Sequence, residues 1–397
     1  MTGPAGTLLT ERSQIEGVVE SARAEGRIGL DTEFMRERTY APKLCLVQVA
    51  VGSEIALIDP LAGEMELAGI AELVSDPDVQ TVLHAAKQDL EIFHLAFGAK
   101  PANIFDVQLA AGFAGLGASL PYGRLVEETI GTRLEKGESY TDWCRRPLTA
   151  AQMTYAADDV RYLIDVADVL GKRLRDQGRE TWAREEMHVA LEDETVYATD
   201  PGEVWRKVSG RGSLSGKQMG VLVELARWRE ETAIRRNIPR GWVLKDVALV
   251  EVARRRPRTK AQLRAIRGIN EKDADRMAED LIAAVERGLE GPEVAQLPVA
   301  PRAAQARARM LSGLADALVR ARSQHAGIAP ELVATRGELE AIILDLVTGK
   351  MDPSRHRLLH GWRRELAGQG VLDLAEGRIA VKAIATPPYV EEVPLGV

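Results

Sequence analysis

Ile28-Gly29-Leu30-Asp31-Thr32-Glu33-Phe34 is an apolar run that enters Asp-x-Glu. If it is a strand, side chains alternate between its two faces, so Asp31 and Glu33 project from the same one. Two carboxylates side by side on a rigid strand repel each other unless a cation sits between them. Hard cations such as Mg²⁺ take oxygen ligands of this kind. An isolated Asp-x-Glu is more often a pair of solvated acids on an edge strand, and the rest of the chain shifts that balance. Asp89 follows the apolar run Thr81-Val82-Leu83-His84, in HAAKQDLEIF, and Tyr155 and Asp159 stand at i and i+4 in a long helical pattern, on one face of it.

Around these acids the pattern reads as a mixed sheet covered by helices. Residues 9 to 26 predict a helix with Thr10 as N-cap, followed by the strand of Asp31 and Glu33. LCLVQVAV (44 to 51) and EIALIDP (54 to 60) meet at Gly52-Ser53 and complete an antiparallel meander. A helix near 64 to 75 ends at the Asp76-Pro77 turn, TVLHA (81 to 85) resumes the sheet, and a helix beginning near Lys87 carries Asp89 in its first turn. Asp106, in NIFDVQLAAGFAG, is expected to cap the helix that follows it rather than to bind metal. Thr149 is the expected N-cap of the helix bearing Tyr155 and Asp159. Met153, Val160, Leu163, Val166 and Leu170 extend its apolar stripe, which should pack on the sheet beside the acids.

The chain has 397 residues, room for two to four domains, and no apolar run near the roughly 20 residues of a membrane span. Its start, MTGPAGTLLTERSQ, lacks the basic and apolar regions of a signal peptide, so a cytoplasmic protein is expected. The two cysteines, Cys45 and Cys144, have no Cys or His neighbour at zinc spacing and read as plain core or boundary residues. Charge is unevenly spread. Residues 205 to 290 hold 20 Lys and Arg against 12 Asp and Glu, within a chain of net charge −7. A basic module joined to an acidic one fits a polyanionic partner, although a solvated basic surface would give the same balance.

DTEF at 31 to 34, HAAKQD at 84 to 89 and SYTDWCRRPLTAAQMTYAADDVRYL at 139 to 163 together resemble the ribonuclease D family of four-carboxylate exonucleases, over about residues 8 to 185. The resemblance implies a ribonuclease-H-like α/β fold, 3′-to-5′ exonuclease activity on RNA with a free 3′ end, and transfer RNA 3′-end processing. It also implies a two-ion site for Mg²⁺ or Mn²⁺. Asp31 would be the bridging ligand, Glu33 and Asp159 would serve the nucleophile side, and Asp89 the leaving-group side. Two divalent ions about 3.5–4 Å apart answer both difficulties of a phosphodiester, a repelled nucleophile and a poor leaving oxygen. Tyr155 matches the family's third-motif tyrosine. Its phenol, with an ordinary pKa of about 10, suits orientation of the attacking water better than base catalysis. A structural tyrosine is the alternative.

The C-terminal half carries its own resemblance. LSGKQMGVLVELARWREETAIRRNIPRGWVLKDVALVEVARRRPRTKAQLRAIRGI (214 to 269) is similar to the HRDC domain, an all-α nucleic-acid-binding bundle. Residues 321 to 345 weakly echo 229 to 253, as a degenerate second copy lacking Arg235-Arg236 and Arg240-Gly241-Trp242. The expected division is an exonuclease domain at 1–205, HRDC at 206–292, a linker at 293–304, the second helical domain at 305–385 and a tail at 386–397. RNA contacts are expected from Arg235, Arg236, Arg240, Arg254, Arg255, Arg256 and Arg258. Trp242 either stacks on a base or, the favoured reading, anchors the core. Lys136, Arg145 and Arg146 either touch the RNA backbone or solvate a loop. A cut near Ala198 is expected to spare the hydrolytic site. A DNA-directed exonuclease and an idle RNA-binding scaffold are the rivals, but a scaffold's expected mark, a lost carboxylate, is absent.

Overall fold

A computed structural model of the chain describes residues 6–63, 66–134, 141–192, 197, 200–292 and 300–395. Its first half comprises β1 (Thr7–Leu9), α1 (Arg12–Glu25), β2 (Arg27–Met35), β3 (Lys43–Val51), β4 (Glu54–Ile58), α2 (Ala68–Val74), β5 (Gln80–Leu83), α3 (Lys87–Phe97), β6 (Ile104–Asp106), α4 (Val107–Phe113), α5 (Tyr122–Ile130), α6 (Ala150–Arg161), α7 (Leu163–Asp176) and α8 (Glu180–Met187). The six strands form one sheet in the order β1-β4-β3-β2-β5-β6. β2, β3 and β4 are the antiparallel meander read from the sequence, while β5 and β6 join parallel to β2. The acid-bearing strand is therefore central, which gives its side chains a fixed frame.

Local signals explain most boundaries, and three differ from expectation. Glu11, not Thr10, caps α1, through a reciprocal box with Gln14, and Leu9, expected to open the helix, instead ends β1, which pairs parallel with β4. The helix expected to run through Asp159 to Leu170 breaks at Tyr162 (φ −109°, ψ 4°), so Leu163, Val166 and Leu170 belong to α7. Both helices cover the Asp31 face of the sheet. Gly29 makes this possible, because a side chain there would meet the Val160 carbonyl at 3.3 Å. Cys45 and Cys144, read as plain core or boundary residues, are joined in a disulfide.

The second half comprises α9 (Gly216–Arg236), α10 (Arg240–Val243), α11 (Asp246–Arg255), α12 (Lys260–Arg264) and α13 (Glu271–Glu290), then α14 (Arg302–Ala326), α15 (Pro330–Val333), α16 (Arg336–Val347), α17 (Gly361–Arg363), α18 (Gln369–Ala375), β7 (Ile379–Ala383) and β8 (Val390–Pro394). Residues 302–304, placed in the linker by the sequence, already lie in α14. The expected tail forms part of the β7–β8 hairpin. No described helix is long and apolar enough to cross a membrane.

Two hydrophobic cores divide this half. Residues 204–285 enclose a core of their own, built on Leu222, Leu225, Leu249 and Leu281. The buried residues of α14–α18 instead share the core of the sheet. Leu332 packs against Gly112, where even a methyl group would collide with it, and Trp362 meets Phe113 edge-on. Arg363 pairs with Glu186 at 2.5 Å, both largely buried. A cut near Ala198 would remove all of this, so it cannot spare the hydrolytic half.

The two helical segments repeat one local course, at an offset two residues from the quoted sequence echo. α9 and α14 each end in a left-handed cap, Asn237 and Gly327, and a four-residue helix and a longer one follow. Leu332, buried, stands where the first segment has Trp242, which is 60% exposed.

Candidate active site

Asp31 and Glu33 project from one face of β2, as strand alternation requires, and α6 lays Asp159 against them. Carboxylate oxygens of Asp31, Glu33 and Asp159 all lie within 4.8 Å of one another. Asp89, in the first turn of α3, is buried beside them but outside that group. The buried Thr32 hydroxyl donates a short hydrogen bond to it. Sequence reasoning passed over Thr32, because alternation sends its side chain to the face opposite Asp31. Only the approach of α3 to the end of β2 makes it useful.

Thr149 caps α6 in a reciprocal box with Gln152, fixing the start of the helix that carries Tyr155 and Asp159. The Tyr155 phenol neighbours Asp159, one turn along α6, and the Trp143 ring packs 6.0 Å from the Tyr155 ring. Asp106 does what the sequence predicts. Its carboxylate accepts from the backbone N–H groups of Gln108 and Leu109, capping α4, and from Ala86 N–H at the start of α3.

Charge is the dominant property of this cluster. Burial first, then Asp89, Asp159 and Glu33, hold the Asp31 carboxyl well above its usual range. Burial and the neighbouring Asp159 and Asp89 push Glu33 up to about 8. Burial also raises Asp89 to about 7 against the opposing bond from Thr32, and burial with Asp158 raises Asp159 to about 7. Tyr155 is pushed upward too, by burial and then by Asp159, so its phenol stays protonated near neutral pH. Among the described residues no ion pair neutralises any of the four acids. Oxygen ligands, dense negative charge and the missing counter-charge together fit divalent metal.

The residues expected to touch RNA sort differently. Arg146 is a structural latch: it grips Asp59 through two bonds of 2.5 and 2.6 Å and donates to the carbonyls of Cys45 and Trp143. That corrects its reading as a backbone contact or loop solvator, since its donors are consumed inside the fold. Arg145 is exposed. Lys136 lies outside the described residues. Arg235 and Arg236 are exposed at the end of α9, whereas Arg240 is half-buried, bound to Glu230 at 2.8 Å and set over the Tyr40 ring. Trp242 points outward and anchors no core, contrary to the favoured sequence reading.

A mixed sheet whose central strand carries two acids of a cluster suited to divalent metal fits the 3′-5′ exonucleases, and the family model described as 3′-5′ exonuclease matches residues 7–175. A model of the HRDC domain matches residues 218–285. The chain belongs to the ribonuclease D family. Ribonuclease D of Granulibacter bethesdensis is 39% identical over 382 residues, covering 95% of this chain and 94% of the relative. That of Acidiphilium cryptum is 36% identical over 98% of each. The crystal structure of Escherichia coli RNase D, an exoribonuclease involved in structured RNA processing, superposes with a TM-score of 0.80 at 30% identity, over 94% of this chain and 99% of that one.

Proposed function

We propose that this chain is an exoribonuclease that removes nucleotides singly from RNA 3′ ends with two divalent ions, Mg²⁺ or Mn²⁺, and that transfer RNA precursors are among its substrates. The observation that carries the reading is the convergence of Asp31, Glu33 and Asp159 carboxylates within 4.8 Å, without a cationic partner among the described residues. These three would hold metal directly, with Asp31 shared, and Asp89 would complete the set from the side fixed by Thr32. When bound, the ions supply the charge that activates water and stabilises the departing 3′ oxygen.

The protein's own groups do the rest. The Tyr155 hydroxyl, protonated and beside Asp159, orients the attacking water instead of taking its proton. The exposed arginines of the 206–292 module, Arg235 and Arg236 among them, hold the RNA backbone, together with the exposed Arg145. Exposed Trp242 offers a stacking face for a base. Residues 302–375 are, in this reading, a second degenerate copy of that module given over to buttressing the exonuclease sheet. Such a substrate places the enzyme in the cytoplasm.

Calorimetric titration of the metal-free protein with Mn²⁺ should give two ions per chain, and none should bind tightly to Asp31→Ala. A transfer RNA precursor with a 3′ extension should be trimmed, and matched single-stranded DNA should survive. Equal degradation of the DNA would overturn the choice of RNA.

A further inference from the structure

Gln48 lies on β3, fully buried, and pairs directly with Asp31 across the β2–β3 ladder. Residues opposed in an antiparallel pair share a face, their Cβ atoms about 4.5–5.5 Å apart. On its other side Gln48 is paired with Leu57 of β4. Leu46 and Leu57, on that same face, belong with Ala156 and Ala157 of α6 to one buried cluster. The amide is thus roofed by the helix that carries Tyr155 and Asp159, and its polar neighbour in register is the Asp31 carboxylate.

Both polar atoms of Gln48 are shielded from solvent and have no hydrogen-bond partner. A buried side-chain amide nearly always has one, and an apolar residue of the same size would fill this place in the core without leaving a donor and an acceptor unmet. The neighbouring acids show what is missing. Asp89 receives a side-chain hydrogen bond from Thr32, whereas among the described residues no side chain donates to Asp31.

We infer that Gln48 is a positioning residue for Asp31: its unpartnered Nε2–H would donate to the Asp31 carboxylate when the site holds divalent ions, and so fix the orientation in which that carboxylate meets them. This rests on the reading of Asp31 as a metal ligand. A group behind a ligand sets its aim and its basicity, and loss of such a partner commonly costs about 10- to 100-fold in metal affinity or activity.

The test is Gln48→Met, with Gln48→Leu beside it and Asp31→Ala as control, each with the chain otherwise intact. Gln48→Met should keep or raise the Tm of the metal-free protein and weaken Mn²⁺ binding by about 10- to 100-fold in calorimetry. It should lower kcat comparably, with the KM for RNA nearly unchanged. Unaltered Mn²⁺ affinity and kcat would overturn the inference. So would a fall in Tm with metal binding intact, or failure of both variants to fold, because each makes Gln48 a packing residue. If Asp31→Ala itself still bound two ions normally, the assignment of Asp31 would fail instead.

Discussion

Burial and mutual repulsion leave Asp31, Glu33, Asp89 and Asp159 reluctant to ionise in the metal-free protein. Their folded pKa values lie above the unfolded ones, near 4, so the neutral forms favour folding. That stability is fully present below about pH 4 and is lost as pH rises through the values of about 7 to 8 for Asp89, Asp159 and Glu33. The Tm of metal-free protein in chelator should therefore fall across pH 5 to 8.5 more steeply than that of Asp31→Ala, and Mg²⁺ should restore it. A pH-independent difference between the two would contradict the cluster's electrostatics. Asp31→Ala and Asp159→Asn should abolish hydrolysis while leaving the metal-free fold as stable as the parent or more so. Activity within about tenfold of the parent, at most about 1.4 kcal/mol of barrier, would count against the assignment. Tyr155→Phe should cut turnover by about 10²- to 10⁴-fold with RNA affinity little changed, and unchanged turnover would make the tyrosine structural.

The elements explain which of these residues a sequence can show. Asp31 with Glu33, and Tyr155 with Asp159, are legible because one strand period and one helix turn suffice to place each pair. Asp106 and Thr149 are legible as caps for the same local reason. Thr32, Gln48 and Arg146 act across elements, and nothing in their own spacing announces it. The break at Tyr162 is hidden because the apolar stripe runs through it, and the pairing of Cys45 with Cys144 spans 99 residues. β3 carries a bulge opposite Glu33, with Cys45 as the extra residue, and Arg146 reaches that carbonyl while holding Asp59. Removing the arginine strands a buried carboxylate. Arg146→Ala should lose roughly 3 kcal/mol of stability in denaturant unfolding, with the salt dependence of RNA binding unchanged. A stable variant with a flatter salt slope would return Arg146 to RNA contact.

At the scale of the molecule, the 204–285 core stands apart, whereas α14 to α18 complete the core beneath the sheet. The weak internal echo was readable, but its use was not, because a buried Leu332 and an exposed Trp242 occupy equivalent places in the two segments. The basic module is better tested by substitution than by truncation. Replacing Arg235, Arg236 and Arg258 with Ala should weaken RNA binding and reduce its salt slope by about 0.7 for each phosphate left unneutralised. Cleavage of short substrates at saturation should persist, and an unchanged slope would leave the module as a spacer or a protein-docking surface.

The measurement that bears most directly on the central claim follows 5′-labelled single-stranded RNA with Mg²⁺, with its 3′ hydroxyl either free or blocked. A ladder shortening one nucleotide at a time from the free 3′ end, absent with the blocked end, in chelator and with Asp159→Asn, is the predicted result. Internal cleavage of the blocked RNA, or full activity in chelator, would contradict it.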